Sequence, residues 1–217
     1  MVRTNFPGAA VSVCGLLLIS LTHPVWAGPG YLSTLGKFRN TYYVLAQEKD
    51  FSDLPQNAEV LDIHGNILAQ VSERFKKKLD LEGSGILRNG TIVNFSARVN
   101  GEIRYRFTQN HFGDGAGQCA LVPFRTIAID PRKVALGSTV RIEETIGMQL
   151  PDGTIHDGTW YANDVGSAIQ NDRVDLFVGT EDLSHYLDAA GITHLRPLTF
   201  HLVAPPAEDS CAYKTAP

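Results

Sequence analysis

Three aspartates stand at the ends or in the middle of short apolar runs in the second half of the chain. Asp130 closes Thr126-Ile127-Ala128-Ile129-Asp130-Pro131, Asp164 opens Asp164-Val165-Gly166-Ser167-Ala168-Ile169, and Asp175 lies within Arg173-Val174-Asp175-Leu176-Phe177. Carboxyl groups placed this way suit acid–base work. Successive side chains of an extended chain point to opposite faces, so Asp175 faces away from Val174 and Leu176. If that face lines a groove, desolvation raises the carboxyl pKa and keeps a proton available to a general acid. Spacing alone leaves a structural alternative open, in which these aspartates cap turns or pair with Arg125, Arg132 or Arg173.

Other constellations carry less. Asp164-Val165-Gly166 has the form of an aspartic-protease loop, but that chemistry needs two such loops in one site and the chain has one copy. His64, His111, His156, His185, His194 and His201 show no two-histidine helical spacing, and Cys119 and Cys211 lack metal-ligand spacing, so no zinc site is expected. Gly113-Asp114-Gly115-Ala116-Gly117 reads as a flexible turn, because no Lys-Ser/Thr follows it to complete a phosphate cradle. Ser167 lacks a Gly-x-Ser-x-Gly setting.

Arg125 to Pro131, Leu136-Gly137-Ser138, Asp164 to Ile169 and Arg173 to Gly179 together resemble the 3D domain, a family named for three aspartates. It occurs in membrane-bound lytic transglycosylase A and in small secreted cell-wall enzymes of bacteria. The resemblance covers about residues 119 to 204. Thr41 to Gly85, ending in Leu81-Glu82-Gly83-Ser84-Gly85, is similar to the front of secreted 3D-domain proteins. The resemblance implies a mainly β fold, a six-stranded double-psi β-barrel. It also implies cleavage of peptidoglycan strands between N-acetylmuramic acid and N-acetylglucosamine, leaving a 1,6-anhydro end, with no metal or organic cofactor. That reaction needs one acid that protonates the leaving oxygen and then, as carboxylate, takes the proton of the sugar's own 6-hydroxyl.

By motif position Asp175 would be that acid and base. Asp164 would bind sugar or stabilise the oxocarbenium charge, and Asp130 would support the site through hydrogen bonds. Gly166, Ser167 and Ala168 would approach the sugar. Trp160 and Phe177 are the candidates for stacking on it, from a set that includes Tyr161 and Phe124. Family members commonly read Asp-Thr-Gly-Gly-Ala-Ile, whereas Val165 and Ser167 stand here in place of Thr and the second Gly. The alternatives are a barrel that only binds glycan, or a hydrolase using Asp164 and Asp175 together.

The elements that must position these groups are mostly strands. Arg125–Ile129, Thr139–Ile142, Thr159–Ala162, Val174–Val178 and Leu198–Val203 have strand composition, and Thr41–Ala46 supplies a first strand to the barrel. Residues 28–40 read as a leader without period. Residues 51–117 read as a strand-rich insertion, 118–206 as the barrel and 207–217 as a tail. Hairpins are expected at His64-Gly65-Asn66, Asn89-Gly90 and Asn100-Gly101. Val71, Phe75 and Leu79 predict a short helix with Lys76–Lys78 on its solvated faces, and Thr180–Ala190 predicts a second.

At 217 residues, 43% hydrophobic and 19% charged, with a net charge of −4, the chain has enough material for one or two folded domains. The balance excludes disorder and gives no electrostatic case for nucleic acid. Arg3, the apolar run Val11–Leu21 and Val25-Trp26-Ala27 read as a signal peptide over residues 1–27, implying a periplasmic or secreted protein without stable membrane insertion, expected to be a monomer. With Cys14 in that segment, Cys119 and Cys211 are an even pair in an oxidising compartment, and a disulfide is expected.

Overall fold

The computed structural model describes residues 30–213; the apolar N-terminal segment, Cys14 and the expected cleavage site lie outside them. In chain order the strands and α-helices are β1 (Ser33–Tyr43), β2 (Ala46–Gln47), β3 (Ala58–Leu61), β4 (Ile67–Val71), α1 (Glu73–Glu82), β5 (Ser84–Ile86), β6 (Ile92–Val99), β7 (Glu102–Thr108), β8 (Thr126–Ala128), β9 (Thr139–Ile142), β10 (Thr159–Asp164), β11 (Arg173–Phe177), α2 (His185–Ala189) and β12 (Pro197–Ala204). The structure is mainly β, as expected. Six strands close a double-psi barrel in the order β1-β11-β8-β10-β9-β12, mixing parallel pairs (β1/β11, β8/β10) with antiparallel ones.

Alternation builds the barrel core. Phe38, Ile127, Val140, Ile142, Trp160, Ala162, Val174, Leu176, Leu198 and Phe200 point inward and are buried together. The opposite face of the same strands carries a smaller cluster of Tyr43, Ala128 and Phe177 with Leu121 and Ile169. The first strand begins earlier than its composition suggests. Ser33–Arg39 pairs with β12 although the sequence there reads as a leader, because few of its side chains face the core and a bulge at Thr34/Gly36, with Gly36 at φ 109, breaks the period.

A second unit lies between β1 and the rest of the barrel. β2-β5-β6-β7 form one sheet and β3-β4 a hairpin. With α1 they enclose a separate core of Val60, Val71, Phe75, Leu79, Val93 and Tyr105. The three turn signals act as expected, joining β3 to β4, β5 to β6 and β6 to β7. At the last, Asn100 and Gly101 both hold positive φ, as a type I′ turn requires.

Helix α1 starts at Ser72, whose hydroxyl accepts from the Phe75 amide, and stops at Gly83 in the left-handed region. Val71 belongs to β4 instead of the helix. Lys76, Lys77 and Lys78 pair with Asp80, Glu73 and Glu82 one turn away. The second expected helix is a 3-10 turn over Glu181–Leu183 followed by α2. No described helix is long and apolar enough to cross a membrane.

Candidate active site

Register places two of the three aspartates. Asp164 on β10 and Asp175 on β11 both pair with Ala128 of β8, one from each side. Residues in register on neighbouring strands share a face, so both carboxyl groups leave the barrel on the side opposite its core. Two strand spacings of ~4.8 Å put their backbones roughly 10 Å apart. Ala128 between them is too small to fill the gap.

That face forms one wall of a cleft of about 470 Å³ that includes Asp164, Asp175, Tyr43, Gly166 and Ser167. The facing wall comes from the second unit, with Glu82 at the end of α1, Asn94, Phe95, Ser96 and Arg98 on β6, and Arg106 on β7. Asp114 to Gln118 close one end.

The two acids differ in their partners. Asp164 accepts from the Tyr43 hydroxyl (2.8 Å) and from the Val165 amide (2.8 Å). Oδ1 of Asp175 is shut off from solvent and no donor reaches it. Burial pushes Asp164 up to about 7, against these two hydrogen bonds and helped by the charge on Asp175. Burial also pushes Asp175 up to about 6, opposed by the Thr41 hydroxyl and Arg173 and helped by the Glu82 carboxylate.

Both acids are therefore poised to gain or lose a proton close to neutrality. Two effects pull apart here: deeper burial raises Asp164 above Asp175, so a single proton rests mainly on Asp164, whereas the two donors at Asp164 and the bare Oδ1 of Asp175 favour the reverse placement. The form with the proton on Asp175 and the charge on Asp164 lies about one pKa unit from the resting one, within easy reach of it. Burial holds the Tyr43 hydroxyl well above its usual range, so it remains a donor. Its ring packs against Phe177 at 5.0 Å between centroids.

Asp130 does not line the cleft. It is buried and accepts from the Arg132 guanidinium (2.6 Å) and from the Asn171 amide (2.7 Å). The Arg132 contact holds its carboxyl well below the usual carboxylate range. Asn171 ends the loop that presents Gly166 and Ser167, so this hydrogen bond ties the loop to Asp130.

Two residues expected to stack on sugar do not reach the cleft. Trp160 is fully buried in the barrel core, its indole N–H donating to Thr145 (3.0 Å), and Phe177 is fully buried beside Tyr43. Inward alternation takes Trp160, and the contact between the two units takes Phe177. Ala168 is exposed on the loop but outside the cleft. Val165 is exposed and lines the cleft, so this departure from the family pattern lies on the cleft surface.

Sequence reasoning missed the facing wall. Phe95 is the aromatic that opens onto the cleft, 41% exposed. Asp114 is anchored by Arg106 (2.6 Å) and Thr108 (3.0 Å), and its amide donates to Asn94 (2.7 Å). The Gly113–Gly117 stretch is not a loose turn. A Cβ at Gly115 would collide with the Asn163 carbonyl oxygen, and one at Gly117 with that of Cys211. The segment is threaded between the end of β10 and the expected Cys119–Cys211 disulfide, which is formed. The one available signal was Leu81–Gly85, part of which lines the cleft.

His156 is a structural residue. Its Nδ1 accepts from the Gly158 amide (2.8 Å), which leaves Nε2–H to donate to the Phe124 carbonyl (2.6 Å). Among the described residues no group of three His, Cys, Asp or Glu side chains is placed to hold a metal ion.

Residues 125–194 match the model of the 3D domain family. Among solved structures, Escherichia coli MltA with bound chitohexaose is similar at 14% identity and TM-score 0.51, over 79% of this chain and 73% of that one. A membrane-bound lytic murein transglycosylase from Agrobacterium tumefaciens is similar at 14% identity and TM-score 0.51, over 78% of this chain and 74% of that one. The likeness is one of fold. No curated protein matches the sequence.

Proposed function

We propose that the cleft binds a peptidoglycan glycan strand and that the protein is a lytic transglycosylase of the periplasm or cell wall. It cleaves the β-1,4 bond between N-acetylmuramic acid and N-acetylglucosamine. The observation that carries this reading is the pair of raised carboxyl groups flanking Ala128, one with a buried oxygen that no donor reaches and one with two donors, on one wall of a single cleft. The matched domain and the names of the similar structures agree with it.

In this reading Asp175 gives its proton to the glycosidic oxygen as the bond to C1 breaks. Asp164, ionised in the reactive form and then served by the Tyr43 and Val165 donors, stabilises the positive charge growing at C1 and the ring oxygen. The 6-hydroxyl of the same sugar then bonds to C1, and its proton passes to Asp175, which is restored. Water enters at no step, so the site need not hold a second carboxylate as nucleophile or base. Phe95 takes the stacking role on the facing wall.

The test is mass analysis of peptidoglycan digested by the purified protein. Anhydro-ended muropeptides are expected, and Asp175→Asn should reduce their release by at least ~10²-fold, the usual worth of a positioned general acid. Reducing-end products would mean hydrolysis, and wall binding without any release would mean a glycan-binding module.

A further inference from the structure

The charges around the cleft are unevenly balanced. On the wall facing the aspartates, Asp80 is matched by Lys76 (2.5 Å), Glu82 by Lys78 (3.0 Å) and Asp114 by Arg106 (2.6 Å). Glu82 is further held by the Val44 amide (2.9 Å) and Asp114 by Thr108, so these pairs are fixed parts of the wall. One cation remains. Arg98 on β6 is exposed and lines the cleft, and among the described residues it has no acidic partner. Its guanidinium makes one hydrogen bond among them, Nη1 donating to the Gly101 carbonyl at 3.2 Å, within its own hairpin. That contact leaves most of the guanidinium donors free.

We infer that Arg98 is a specificity-determining residue that binds a carboxylate carried by the glycan and so selects an acidic strand over a neutral one. The inference rests on the glycan reading above. The free charges of the cleft are then an anion at the barrel wall and a cation on the opposite wall. A neutral sugar placed against the aspartates leaves Arg98 unused, whereas a sugar bearing an acidic substituent on its far side meets a planar, charged donor set suited to carboxylate. Phe95 on the same strand supplies the apolar surface on which the ring of that sugar can rest. Two carboxylates have this chemistry, the lactyl group of a muramic sugar freed of peptide and the acidic groups of an attached stem peptide.

Binding separates these cases without depending on turnover. In an Asp175→Asn background, calorimetry would compare glycan strands stripped of peptide, and strands carrying their stem peptides, each with its fully amidated counterpart. The expected result is about tenfold tighter binding of an acidic strand than of its amide, a ratio lost in Arg98→Met and partly kept in Arg98→Lys. The pair that shows the ratio identifies the carboxylate. The ratio should also shrink as salt is raised. Equal binding of acid and amide by the Asp175→Asn protein, or a ratio that survives Arg98→Met, overturns the role of Arg98 and leaves the glycan reading standing. No binding of any strand overturns both.

Discussion

Removing the Tyr43 hydroxyl should redistribute the proton shared by the two aspartates. The bond from Tyr43 to Asp164 is 2.8 Å and buried. A hydrogen bond to a charged group is worth ~1.5–3 kcal/mol, and at ~1.36 kcal/mol per pKa unit its loss moves a carboxyl by about one to two units. The donor stabilises the anion, so Tyr43→Phe moves Asp164 upward from its value of about 7. Catalysis in the proposed reaction requires Asp164 ionised and Asp175 protonated. Asp175, at about 6, sets the acid limb of the rate profile, so in the variant that limb stays in place and the alkaline limb rises by about one pH unit. The singly protonated pair also holds its proton on Asp164 more often, lowering maximal turnover by roughly tenfold. The assay is release of anhydro-ended muropeptides between about pH 4 and pH 9, with carboxyl carbon NMR of Asp164 as a readout independent of turnover. A profile that drops in height but keeps its position, with an unmoved Asp164 titration, would refute the reasoning and leave Tyr43 a packing residue.

Three further outcomes follow from the geometry. Asp175 rises from 3.8 to about 6 on folding, so the stability it lends is present below 3.8 and is lost as pH rises through about 6. In urea melts the advantage of Asp175→Asn over the parent should grow by up to about 3 kcal/mol between about pH 3 and pH 8, and a gap that does not change with pH contradicts the burial of this carboxyl. Gly115→Ala drives a methyl group into the Asn163 carbonyl oxygen and to 3.2 Å from Asp164 Cβ. It should cut activity at least ~10-fold by displacing the end of β10, an effect that full activity in the variant would exclude. The Cys119–Cys211 bridge ties Gly117 to the segment before Tyr213. Reduction should lower the melting temperature of the parent, consistent with a loop-closure contribution of ~4 kcal/mol, and leave Cys119→Ser unchanged.

What the sequence disclosed follows from what has a period. Val174-Asp175-Leu176 alternates, so the outward direction of Asp175 is legible in the residues alone, and Asn100-Gly101 fixes a turn by its own backbone preference. Strands with few core-facing side chains were harder. Ser33–Arg39 takes its strand character from pairing with β12, a partner some 160 residues away that no local window contains.

The aromatic assignments failed for a related reason. Trp160 and Phe177 have the side chains a sugar site uses, but on strands of a closed barrel one face is core, and the outer face of β11 is covered where the two units meet. Exposure of an aromatic is settled by that contact, which is why Phe95, on a strand of the inserted unit with no motif around it, is the ring left open to the cleft. The same contact explains the acids. Asp175 is pushed up to about 6 by burial and by the Glu82 carboxylate at the end of α1, against the Thr41 hydroxyl and Arg173. Burial of that kind is a property of two units docked together, and a motif of three aspartates contains only one of them. The barrel thus sets the direction of the two carboxyl groups, and the inserted unit, through Glu82 and the wall it builds, adds to the proton affinity of Asp175 and sets the chemistry of what can lie against the pair.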